Sequence, residues 1–126
     1  MQKTKLEIID ETVEYYSNYK RGIASDGSCS YLTKDGNMCA VGRCLINPTI
    51  SMGGTAGLFK VNSKVVELED YLKPEYKGHK TIFWQDLQWF HDDSDNWNDH
   101  KLTETGLTRL KYLKETYGTK SIIQIA

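Results

Sequence analysis

The residues of this chain with chemistry to offer fall in two blocks. The first, "CSYLTKDGNMCAVGRC", holds Cys29, Cys39 and Cys44; the second, "LQWFHDDSDNWNDH", holds His91, Asp92, Asp93, Asp95 and Trp97. A thiol becomes a nucleophile when something stabilises its thiolate. If "NMCAVGRC" opens a helix, Cys39 stands in its first turn, where unpaired amides and the helix dipole do this. His91 would then act as base and Asp92 as its orienter, the parts of a thiol hydrolase or transferase. The bland alternative is that Cys39 is a small core residue and His91 a packed helix residue, and it carries more weight.

Other chemistries fit less well. Structural zinc sites present tight cysteine pairs, whereas nine residues separate Cys29 from Cys39 and four separate Cys39 from Cys44. A calcium loop counted from Asp93 would place Trp97 and Asn98 where an oxygen ligand and a glycine belong. "SMGGTAG" lacks the Lys-Ser/Thr pair of a phosphate loop. No metal and no cofactor are expected. "HDDSDNWND" carries four Asp and no base, and Trp97 between Asp93, Asp95 and Asp99 has the composition of a protein-binding tip.

Composition narrows the class further. A chain of 126 residues with 39% hydrophobic and 26% charged residues reads as a single globular domain over 1–126. A net charge of −1 argues against a general nucleic-acid binder. No apolar run approaches the ~18 residues of a membrane span. "MQKTKLEIID" is amphipathic from the start and unlike a secretion signal. With an odd cysteine count, the expected compartment is the reducing cytoplasm.

These residues must be positioned by a small set of elements. Thr4 and Glu7 have capping-box spacing ahead of Leu6, Ile9, Val13 and Tyr16, one face of a helix that Ile8, Tyr15 and Tyr19 widen and that Gly22 would stop. Asp35-Gly36 is a hairpin signal, and the turn type decides whether Cys29 and Cys39 share a face. Met38–Ile46 reads equally as strand or as short helix. "NSKVVELEDYLK" predicts a helix capped by Asn62 or Ser63, with Val65, Leu68 and Leu72 inward and Pro74 as its stop. "TIFWQDLQWFHD" predicts a helix with Phe83, Leu87 and Phe90 on one side and Trp84, Gln88 and His91 on the adjoining one. A last helix, capped by Thr103, turns Leu110, Leu113 and Tyr117 inward and stops at Gly118; "SIIQI" closes as a strand. The fold class is α+β: an N-terminal helix, a β-hairpin, then two or three helices with a short C-terminal strand.

At Cys29, Tyr31, Asp35, Gly36, Cys39, Ala40, Val41, Gly42, Leu45 and Ile46, and again at Leu87, Gln88, His91, Asp92 and Trp97, the chain resembles a group of small bacterial and tailed-phage proteins of uncharacterised function. The resemblance implies that the two blocks meet, as a Cys39–His91–Asp92 site or, with greater weight, as a structural junction that Trp97 covers. It brings no activity with it. The leading expectation is a non-enzymatic cytoplasmic interaction protein, phage-encoded and acting on a host protein through Trp97, Asp93 and Asp95; self-association is compatible with it. Its rivals are the thiol enzyme and a small-ligand sequestering protein built around Trp84 and Trp89.

Overall fold

The structure, a computed structural model, describes residues 2–19, 21, 32, 36–48, 52–53, 59–62 and 64–125. Thr4 and Glu7 close the expected capping box: the Glu7 amide donates to Thr4 Oγ1 at 3.1 Å and the Thr4 amide to Glu7 Oε1 at 2.8 Å. Helix α1 then runs Lys5–Tyr16 and buries Ile8, Ile9, Thr12 and Tyr16. That stripe keeps Ile9 and Tyr16 of the predicted face and Ile8 of its widened side, while Thr12 joins them and Leu6 is left at the surface.

Residues 39–46 are neither strand nor α-helix. They form a turn and a 3-10 helix, Gly42–Cys44, after which Leu45 bridges Leu72. Backbone bonds from Ile46 N–H to Tyr71 O (2.9 Å) and Lys73 N–H to Cys44 O (3.0 Å) clamp this segment to the 71–73 stretch. The fully buried Leu45 and Leu72 join Ile8, Ile9, Phe83 and Leu87 in the core.

A three-stranded antiparallel sheet comprises β1 (Met52–Gly53), β2 (Phe59–Val61) and β3 (Lys64–Val66), in that order. The β2–β3 hairpin turns at Asn62, whose φ of 52° is one that Asn tolerates. The helix expected from Asn62 is therefore corrected: β-branched Val65 and Val66 pair with β2, and a 3-10 helix follows at Leu68–Tyr71. Pro74 opens a further 3-10 helix, Pro74–Tyr76. The hairpin expected at Asp35-Gly36, the stop expected at Gly22 and the placement of Cys29 lie outside the described residues.

Helix α2 spans Thr81–Asp92, and both predicted stripes are buried: Phe83, Leu87 and Phe90 on one side, Trp84, Gln88 and His91 on the other. After a 3-10 helix at Ser94–Asn96, strands β4 (Trp97–Asn98) and β5 (Lys101–Leu102) pair antiparallel around Asp99, with φ of 58°. Helix α3 follows, Glu104–Ile125, with Thr103 Oγ1 accepting the Gly106 amide at 3.0 Å. The class is α+β, and its C-terminal strand element is the β4–β5 pair. "SIIQI" belongs to α3, because a glycine inside a helix costs only about 1 kcal/mol and Gly118 does not stop it.

Two glycines of α3 sit at close approaches of different hardness. A Cβ on Gly106 would lie 2.2 Å from the backbone oxygen of Asn96, whereas one on Gly118 would meet the Leu6 side chain at 3.1 Å. Backbone cannot retreat as an exposed leucine tip can. Gly106→Ala is expected to lose about 2 kcal/mol of stability, and Gly118→Ala to be neutral or mildly stabilising through helix propensity. Urea denaturation midpoints of the two variants measure the contrast.

Candidate functional site

The two blocks meet at the last turns of α2. Gln88 Oε1 accepts the Val41 amide at 3.1 Å, and Gln88 Nε2 donates to Asp92 Oδ1 at 3.0 Å. The same carboxylate oxygen takes His91 Nδ1 at 2.8 Å. A carboxylate only accepts, so the proton of His91 sits on Nδ1. The His91 ring packs edge-on against Tyr16 with centroids 4.6 Å apart, and the Tyr16 hydroxyl donates to Met38 O.

The carbonyls that end α2 are all taken. The Asp93 amide donates to Trp89 O, Asn96 Nδ2 and Trp97 Nε1 donate to Phe90 O at 2.9 and 3.2 Å, and Arg21 donates to His91 O at 2.8 Å and Asp92 O at 3.3 Å. These are the acceptors a helix leaves unpaired at its C-terminus.

The junction is closed to substrate. Cys39 and His91 are both 0% exposed. Cys39 Sγ accepts the Gly42 amide at 3.3 Å, and Cys44 Sγ donates to Ala40 O at 3.4 Å. Burial pushes the Cys44 thiol up to about 12, the reverse of activation. Desolvation also holds the His91 imidazole below its ordinary range, against the opposing pull of Asp92, so it is neutral near pH 7. His91 and Asp92 have a catalytic pair's geometry, but the imidazole itself is sealed from solvent and, of the two, only Asp92 reaches solvent.

Trp97 is corrected as a surface anchor. It is 6% exposed, packed against Phe90 and Tyr16 at 5.7 and 6.2 Å between ring centroids. The carboxylates of the acidic tip do stay outside: Asp93 Oδ1 caps the Asp95 amide, and Asp93 Oδ2 pairs with Arg109 at 2.6 Å. Trp84 and Trp89 do not form a common aromatic site either, since Trp84 is buried and Trp89 is exposed.

Sequence reasoning passed over a buried charge. Arg43 reaches Glu11 Oε1 at 2.6 Å, Thr12 Oγ1 at 3.2 Å and Tyr76 Oη at 3.3 Å, and lies over the rings of Tyr15 and Tyr76. Burial would raise the Glu11 carboxyl, but hydrogen bonds from Lys3, Tyr76 and Arg43 outweigh it and bring it to about 2.

On the outer side of α2, a groove of about 360 Å³ opens towards α3. Its floor holds Phe90 and Leu113, and its rims carry Trp89, 63% exposed, and Tyr112, 68% exposed. The signal was present in the periodicity: Trp89 is the aromatic of α2 that neither buried stripe uses. Among the described residues no three His, Cys, Asp or Glu side chains are grouped to hold a metal, and no helix is long and apolar enough to cross a membrane. No known protein family, curated protein or solved structure matched the chain.

The buried thiols predict that Cys39 and Cys44 resist iodoacetamide in the folded protein and react only as it unfolds; rapid labelling of Cys39 under native conditions would restore the nucleophile. His91 predicts a pH dependence. In the unfolded chain the imidazole titrates near ~6.5, and in the folded chain it titrates lower. Between these values the unfolded state binds the extra proton, so stability is full above pH ~6.5 and falls as pH drops through the folded value. Thermal melts against pH should show this slope reduced in His91→Gln. A separate loss belongs to Glu11, whose contribution is complete above pH ~4.5 and disappears towards about 2.

Proposed function

We propose that this chain is a non-enzymatic protein-binding module that takes its partner in the groove between α2 and α3. The observation that carries this reading is the pair of exposed aromatic side chains, Trp89 and Tyr112, on the rims of that groove. Large aromatic surfaces held in water are costly to keep and are enriched where partners bind. The burial of Cys39 and His91, with Asp92 bonded to His91 and Gln88, supports a structural role for the residues the thiol-enzyme reading used. The resemblance of both blocks to small bacterial and tailed-phage proteins supports a host protein as the partner class, met in the host cytoplasm. The acidic tip remains part of the proposed surface through Asp93, which lines the groove, while Trp97 braces it from beneath.

Trp89→Ala combined with Tyr112→Ala removes exposed surface and leaves the core intact, so the variant should melt within a few degrees of the parent. Its capture of the proteins held by the tagged parent chain from host lysate should be lost. Val65→Ala, exposed on β3, serves as the control and should keep them. A folded double variant that captures the same proteins as its parent would sink the groove as the binding surface.

A further inference from the structure

The partner's chemistry can be read from the charge in the groove. Hydrogen bonds at its two ends fix how the helices face each other: Asp86 Oδ2 accepts the Tyr117 hydroxyl at one end, and Asp93 Oδ2 pairs with Arg109 at the other. Helices α2 and α3 therefore run antiparallel here, with Trp89 and Tyr112 at matching levels between the two ends. Asp86 and Asp93 are separated by about 10 Å along α2.

The two ends differ electrostatically. Asp93 is neutralised by Arg109, which also donates to Asn96 Oδ1 at 3.0 Å. Asp86, half-buried, has no charged partner among the described residues, and no described residue donates to its Oδ1. The groove thus offers two exposed aromatic rings leading to one carboxylate that no described residue compensates. A guanidinium suits this arrangement, because it stacks on aromatic faces and donates in a planar fork to a carboxylate. Resting on the binding reading above, we infer that the groove receives an arginine side chain of the partner protein, lying between Trp89 and Tyr112 with its head on Asp86.

The test uses the full chain, ¹⁵N-labelled, and two short Gly/Ser peptides that differ at one central residue, arginine or its neutral isostere citrulline. The Trp89 indole resonance, assigned with Trp89→Phe, is followed during titration. The arginine peptide should shift it saturably, with the citrulline peptide about tenfold weaker. Asp86→Asn, which keeps an acceptor for Tyr117, should bring the two peptides level. Equal titration by both peptides in the parent chain overturns the inference and leaves a groove that binds peptide without choosing a cation. A Trp89 resonance that neither peptide moves also overturns it, and the binding reading falls too if the double variant keeps its captured proteins. A shift that depends on protein concentration alone, without peptide, overturns it in favour of a second copy of the chain.

Discussion

The last turns of α2 are the constraint on which the rest of the structure depends. From Gln88 to Asp92, side chains and carbonyls bind the Val41 segment, Arg21, Asn96 and Trp97, while the His91 ring packs on Tyr16 of α1. A buried polar group left unmatched costs about 1–3 kcal/mol, so each partner is obliged to arrive at a fixed place. Asp92 is the hinge of this set. One oxygen orients Gln88 towards Val41 and fixes the tautomer of His91. The junction specifies where three separate segments meet, which apolar contact alone would leave loose.

A second polar network fixes the same segment from the other side. Arg43 leaves the 3-10 helix and ends among Glu11, Thr12 and Tyr76, so residues 39–46 are held between α1 and α2 by charge as well as by Leu45 and Cys44. Burying an ion pair carries a desolvation cost that its attraction only partly offsets. Its value here lies in register: the guanidinium has several matched acceptors in one position and would lose them in any other. Cys44, beside this arginine and yet protonated, shows how far burial can overrule a neighbouring positive charge.

Helices with regular spacing were legible in the sequence. The Thr4–Glu7 capping box, the Thr103 cap and both stripes of α2 follow from local geometry, and local geometry is what a sequence displays. Residues 39–46 were not legible, because their conformation answers to Gln88, Tyr71 and Glu11, all distant in the chain. Val65 misled for the same reason: β-branching and the β2 partner outweighed an apolar spacing that also suits a helix. Of the candidate site, the pairing of the two blocks and the burial of Cys39 and His91 match the weightier of the two readings, while the exposed tip expected at Trp97 does not. A Cys–His–Asp set has the same spelling whether its centre is open or closed.

That ambiguity is general, and exposure resolves it. Titratable groups that contact one another in a dry interior are matched to each other, and their hydrogen bonds are already spent on the fold. Trp97 followed the same logic: its indole N–H found a helix carbonyl and its ring found the core, so the acidic residues around it mark a tight connection. Trp89 and Tyr112 are the opposite case. Each sits on a helix whose inward positions are already filled by other large side chains, and each keeps most of its surface in water. The core does not need them, and the hydrophobic effect works against leaving them where they are. A ring held in that position, on a helix facing its counterpart and on the same groove as the carboxylate of Asp86, is better explained by something that covers it than by the packing of the chain itself.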